Sequence, residues 1–143
     1  MGCILNLSKL ESDLFDDEGY RKSAYQDHLG FWTIGIGTLI DERKGAGITV
    51  DEAKYLLRNR LVTFFAAMDQ KMPWWRDQPE HVQRALANMA YQMGVDGLLG
   101  FRNTLALIQA GKYDQAADNA MKSLWARQTP NRAKKVTDLL RGK

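Results

Sequence analysis

The chain has 143 residues, 45% apolar and 26% charged, with a net charge of +3 and one cysteine, Cys3. This excludes a disordered or collagen-like chain and a disulfide scaffold. The longest mostly apolar run without charge, Leu29 to Ile40, is 12 residues, short of the roughly 20 that cross a bilayer. Taken in chain order, Ser8-Lys9-Leu10-Glu11 has the form of a capping box, and Leu7, Leu10 and Leu14 recur at helical spacing. Residues 9–18 therefore read as a short helix that ends at Glu18, before Gly19. Residues 21–48 change character: Tyr25, Phe31, Trp32, Thr33, Ile34 and Ile36 are strand formers, punctuated by Gly30, Gly35 and Gly37. They read as a small antiparallel sheet, with a bulge or close backbone approach at Gly35 and Gly37 and a loop over Arg43 to Gly47.

Thr49-Val50-Asp51-Glu52 is a second capping box. It opens a helix over about 50–70, with Tyr55, Leu56, Leu61, Val62, Phe65 and Met68 expected on its inner face. Pro73-Trp74-Trp75 interrupts the pattern, and the two tryptophans read as an apolar plug between helices. Further helices are expected from Pro79 to Met93 (stopped by Gly94), over 95–99, 103–110 and 112–126, and from Thr129-Pro130 to the end. Strands segregated from helices give an α+β class. The expected form is one domain over residues 1–143. It has a small sheet lobe (about 19–50), a larger helical lobe (about 51–143 plus the N-terminal helix) and an active-site cleft between them.

Glu18, Asp27 and Thr33 follow one another across the first helix end, the first turn and the next strand. Two carboxyls across a groove suit glycoside hydrolysis, one protonating the leaving oxygen and the other activating water. A threonine hydroxyl, both donor and acceptor, can hold that water. Spacing alone leaves solvated surface carboxylates as the commoner explanation.

The surrounding residues add weight. The run E-G-x7-D-x5-T-I-G-I-G from Glu18 to Gly37 resembles the phage-type lysozymes (endolysins) of glycoside hydrolase family 24. Asn88-Met89-Ala90-Tyr91-Gln92-Met93-Gly94, Gly100-Phe101-Arg102-Asn103-Thr104 and Ser123 to Lys134 extend the likeness, particularly to the T-even phage members, over about residues 8–140. The resemblance implies a muramidase that cleaves the β-1,4 bond between N-acetylmuramic acid and N-acetylglucosamine in peptidoglycan, with inversion and for host lysis. It makes Glu18 the general acid, and Asp27 the ionised partner that positions water with Thr33. It implies substrate contacts from Leu39, Tyr91, Thr104 and Asn119, with Gln92 beside them. Core packing is the competing reading for Leu39 and Tyr91. Arg132 matches a cleft arginine whose role stays open. A lytic transglycosylase or a non-catalytic wall-binding protein on the same fold are the alternatives.

No metal or organic cofactor is implied. His28 and His81 are far apart in sequence and lack cysteine partners; His28 sits in the turn beside Asp27, and His81 is expected at the surface. Residues 1–72 hold nine Lys/Arg against eleven Asp/Glu, whereas residues 73–143 hold eleven against six. The basic second half suits an anionic polymer, and peptidoglycan is anionic through its stem peptides. No nucleic-acid motif is present, and a monomer without stable membrane insertion is expected. The first residues lack the basic start and apolar run of a secretory signal. The expected location is therefore the host cytoplasm, with release to the periplasm through a holin pore. Two departures from the T-even members stand out. Asp41 to Gly47 is shortened, which implies a reduced β lobe, and Thr38 replaces a histidine.

Overall fold

The structure is a computed structural model, and it describes residues 5–26, 28–36, 38–39 and 47–143. Its contacts divide the chain into two compact units, the first through Tyr55 and the second Leu56–Lys143. No helix among the described residues is long and apolar enough to cross a membrane.

The first unit opens with helix α1, Leu7–Glu18. It starts two residues earlier than the sequence indicates, because Asn6 takes the cap: its side-chain oxygen accepts the Lys9 N–H at 3.0 Å. Ser8 and Glu11, the expected capping pair, lie inside the helix instead. The expected stop holds. Gly19 has φ 73°, a conformation that side chains resist, and its N–H reaches back to Phe15 O at 2.9 Å.

Strands β1 (Arg21–Gln26), β2 (Trp32–Gly35) and β3 (Thr38–Leu39) form an antiparallel sheet in that order. Arg21 pairs with Gly35 and Tyr25 with Thr33, so four steps along β1 match two along β2. A sheet irregularity is present beside Gly35, but the surplus residues sit on β1, between Arg21 and Tyr25. Gly37 and the loop residues Arg43 to Ala46 lie outside the described residues.

Helix α2, Val50–Lys71, begins with the expected capping box. Thr49 N–H donates to Glu52 Oε1 at 3.0 Å, and Glu52 N–H donates to Thr49 Oγ1 at 3.1 Å. Its inner face is shorter than expected. Tyr55, Leu56 and Val62 are exposed, Leu61 and Phe65 half-buried, and Met68 fully buried. At a rise of 1.5 Å per residue, Leu56 lies about 18 Å along the axis from Met68, where the core begins.

That core belongs to the second unit and is centred on Met68, Leu86, Met89, Ile108, Val136 and Leu140, all fully buried. A 3₁₀ turn, Pro73–Asp77, follows α2. Trp75, 2% exposed, closes against Phe65 with ring centroids 5.6 Å apart, as the plug reading anticipates. Helix α3, Glu80–Leu99, is broken at Gly94 (φ 81°, ψ 160°), the residue expected to stop it, and resumes as the short piece expected over 95–99.

Helices α4 (Arg102–Gln109), α5 (Tyr113–Met121), α6 (Leu124–Gln128) and α7 (Pro130–Arg141) complete the unit. The single helix expected over 112–126 is two. Ser123 divides it, donating to Ala120 O at 2.6 Å and accepting the Ala126 N–H at 3.2 Å. Thr129 precedes Pro130 as expected but does not cap α7; its hydroxyl turns back to Trp125 O at 3.0 Å. His81 is not a free surface residue. Half-buried, its Nδ1 lies 2.7 Å from Leu139 O and so carries the proton donated there.

Three carboxylates of this unit are held below the usual carboxylate range by hydrogen-bonded cations: Asp69 by Arg76, with the Trp75 indole assisting; Asp118 by Arg141; and Asp138 by Lys134. Each ionises more readily folded than unfolded, so its contribution to stability is present above the unfolded value near 4. It is lost as pH falls through the lower folded value. Side-chain carbon NMR titration is expected to show these three midpoints depressed, and Arg76→Gln to return Asp69 toward its ordinary value.

Candidate active site

The residues singled out in the sequence fall into three places. Glu18, Thr33 and Leu39 lie in the first unit. Glu18 is the last residue of α1 and is exposed, its backbone set by the Gly19 cap. Thr33, 4% exposed, is the described residue of this unit most fully covered. Its hydroxyl donates to Phe31 O at 3.3 Å, which leaves its oxygen lone pairs as acceptors. Thr33 pairs with Tyr25 on one side and Leu39 on the other. Directly opposed residues share a sheet face, so Leu39 stands beside the candidate catalytic threonine. It is 47% exposed, which overturns core packing as its role. Tyr25 completes that row; the sequence marked it only as a strand former. Asp27 lies outside the described residues.

Gln92, Thr104 and Asn119 meet in the second unit, around a cavity of about 630 Å³ also lined by Phe101, Asn103, Trp125 and Gln128. Gln92 sits on α3 just before the break at Gly94, Thr104 in the first turn of α4 and Asn119 near the end of α5. Their hydrogen bonds have one consequence for chemistry. The Trp125 indole donates to Gln92 Oε1 at 2.9 Å, and the Thr104 hydroxyl donates to Asn119 Oδ1 at 2.7 Å. Each bond orients its carboxamide with the oxygen toward the donor, which leaves the NH₂ group to donate to a ligand.

Tyr91 and Arg132 line a different cavity of the second unit, about 530 Å³, floored by Leu61, Phe65 and Trp75. Tyr91 is 39% exposed, against the core-packing reading, and tilts against Phe64 at 5.5 Å. Arg132 is fixed by Asn88: its Nε donates to Asn88 Oδ1 at 3.0 Å and its Nη2 to Asn88 O at 3.3 Å. Arg76 lies over the Trp75 ring at 4.1 Å and pairs with Asp69 at 2.8 Å. That pairing holds its guanidinium even more firmly charged than usual. Asn88, Asn103 and Gln128 stand within the segments that carry the family likeness, but spacing did not mark them as lining residues; they are polar helix positions whose partners only tertiary packing brings near.

Among the described residues no group of three His, Cys, Asp or Glu could hold a metal ion. A three-stranded antiparallel sheet followed by a helical unit, carrying the spaced Glu18 to Thr33 motif, defines an α+β protein of lysozyme type. The model of the phage lysozyme family matches residues 16–141, and the chain belongs to that family, a class of glycoside hydrolase. It is 33% identical to the pre-baseplate central spike protein Gp5 of Enterobacteria phage T4 over 94% of the chain, which spans only 28% of that protein. It is 28% and 27% identical to probable T4-type lysozymes 1 and 2 of Dictyostelium discoideum, over 94% and 91% of the chain and 94% and 92% of theirs.

Proposed function

We propose that this protein hydrolyses the β-1,4 bond between N-acetylmuramic acid and N-acetylglucosamine in peptidoglycan, with inversion, in the service of host lysis. The observation that carries the reading is the family match over residues 16–141, which runs through Glu18, Asp27 and Thr33 in one spaced motif. Glu18 protonates the leaving glycosidic oxygen. Asp27, ionised, takes a proton from water, and the lone pairs of Thr33 hold that water. Attack from the face opposite the leaving group breaks the glycosidic bond and leaves a reducing muramic end. Leu39 supports the sugar beside Thr33. Tyr91 and Arg132 contact the polymer from one cavity, and Gln92, Thr104 and Asn119 from the other, where the spare carboxamide donors suit acetamido and carboxylate oxygens.

Mass spectrometry of products from Gram-negative peptidoglycan tests this. Reducing muramic ends of inverted configuration, trapped by rapid NMR before mutarotation, are the expected result. Anhydro ends would move the protein to the transglycosylases, and absence of cleavage would leave a binding protein on the same fold.

A further inference from the structure

Resting on that reading, we propose that Arg102 is a specificity-determining residue, which pairs with a carboxylate of the substrate's stem peptide and so favours peptidoglycan whose peptide carboxyls are free over peptidoglycan in which they are amidated. Arg102 is the one ionisable side chain among the described residues that line the 630 Å³ cavity. The contrast with the other cavity is direct. There Arg76, Arg84 and Arg132 are each already engaged, by Asp69, Glu80 and Asn88. Arg102 is exposed and has no ion-pair partner among the described residues, so its full donor fork is available.

The neighbouring polar groups point the same way. The carboxamide oxygens of Gln92 and Asn119 are turned to Trp125 and Thr104, so their NH₂ groups are the ends left to donate. Among the described residues no carboxylate lines the cavity. An unpaired guanidinium beside two amide donors recognises an acceptor-rich, negatively charged group and gains little from a neutral amide. Peptidoglycan carries such groups on its stem peptides, its anionic part.

The test compares the wild type with Arg102→Gln on two soluble muropeptide substrates, identical except that the peptide carboxyls of one are amidated. For the wild type, KM is expected to be about three- to five-fold lower for the free acid, the range of an exposed ion pair. The ratio should approach one in Arg102→Gln and fall with added salt, while kcat on the free acid stays close to wild type. Equilibrium binding of the same two muropeptides, without turnover, gives a readout independent of catalysis. A preference of the same size in Arg102→Gln would overturn the assignment, as would equal binding of both ligands by the wild type. Wild-type discrimination in binding without cleavage of either substrate would sustain Arg102 and overturn the hydrolase reading instead.

Discussion

Glu18→Gln is expected to lower turnover by at least about 10²-fold, the usual scale of a lost general acid, while the protein stays folded. The substitution keeps the side-chain shape and removes the transferable proton. It also removes a negative charge from the C-terminal end of α1, where the helix dipole opposes anions, so the variant should be no less stable than the wild type. Glu18 is exposed, and no residue of α1 is buried, which fits that expectation. Asp27→Asn should also cost heavily, but by a different route, because it removes the base and leaves the acid in place. If Asp27→Asn retained near-normal rates with reducing ends, water activation by Asp27 would be wrong. If it retained rates with anhydro ends, the chemistry would be transglycosylation. Circular dichroism and thermal melts run beside the assays separate lost chemistry from lost structure.

The elements that were legible in the sequence are those governed by local rules. Gly19 and Gly94 mark backbone turns at the positions anticipated because each adopts a positive φ. The Thr49–Glu52 box closes as read because both partners lie within one turn of helix. Where two local solutions competed, the sequence alone could not choose. Asn6 and Ser8 are both good caps, and the chain uses Asn6. Ser123 could sit inside a helix, yet its hydroxyl takes up the Ala120 carbonyl and the Ala126 amide and splits the segment in two.

The site was legible as a set of residue types and much less as an arrangement. The motif names Glu18, Asp27 and Thr33 in order, and pairing in the sheet then sets Leu39 beside Thr33. Nothing in the spacing foretold that Gln92 and Tyr91, adjacent in the chain, would line separate cavities. They do so because neighbours on a helix point about 100° apart, and one faces Trp125 while the other faces Phe64. The apolar face of α2 misled for a related reason. Periodicity reports which face is apolar, and only the position of Met68 and its neighbours decides how much of that face is covered.

Substitution of Trp125 is expected to have the largest effect on the second unit and to separate its structural and binding roles. Trp125 is 8% exposed, meets Phe101 edge-on at 5.9 Å and fixes Gln92 through its indole N–H. Trp125→Ala removes all three contributions and should cost about 3–5 kcal/mol, the usual range for an aromatic core truncation. Trp125→Phe keeps most of the ring packing but leaves the Gln92 carbonyl without its donor, a loss of about 1–3 kcal/mol. The Phe variant is the informative one. Trp125 has no part in the proposed acid and base chemistry, so kcat should hold while KM rises, the pattern of lost uniform binding. Val136→Ala, in the same core but lining neither cavity, supplies the matched control, because it lowers stability without disturbing Gln92. A rise in KM for Trp125→Phe beyond that control assigns the effect to the orientation of Gln92. Equal KM in the two variants would mean that the Trp125–Gln92 hydrogen bond serves the fold alone, and that Gln92 takes no part in holding the polymer.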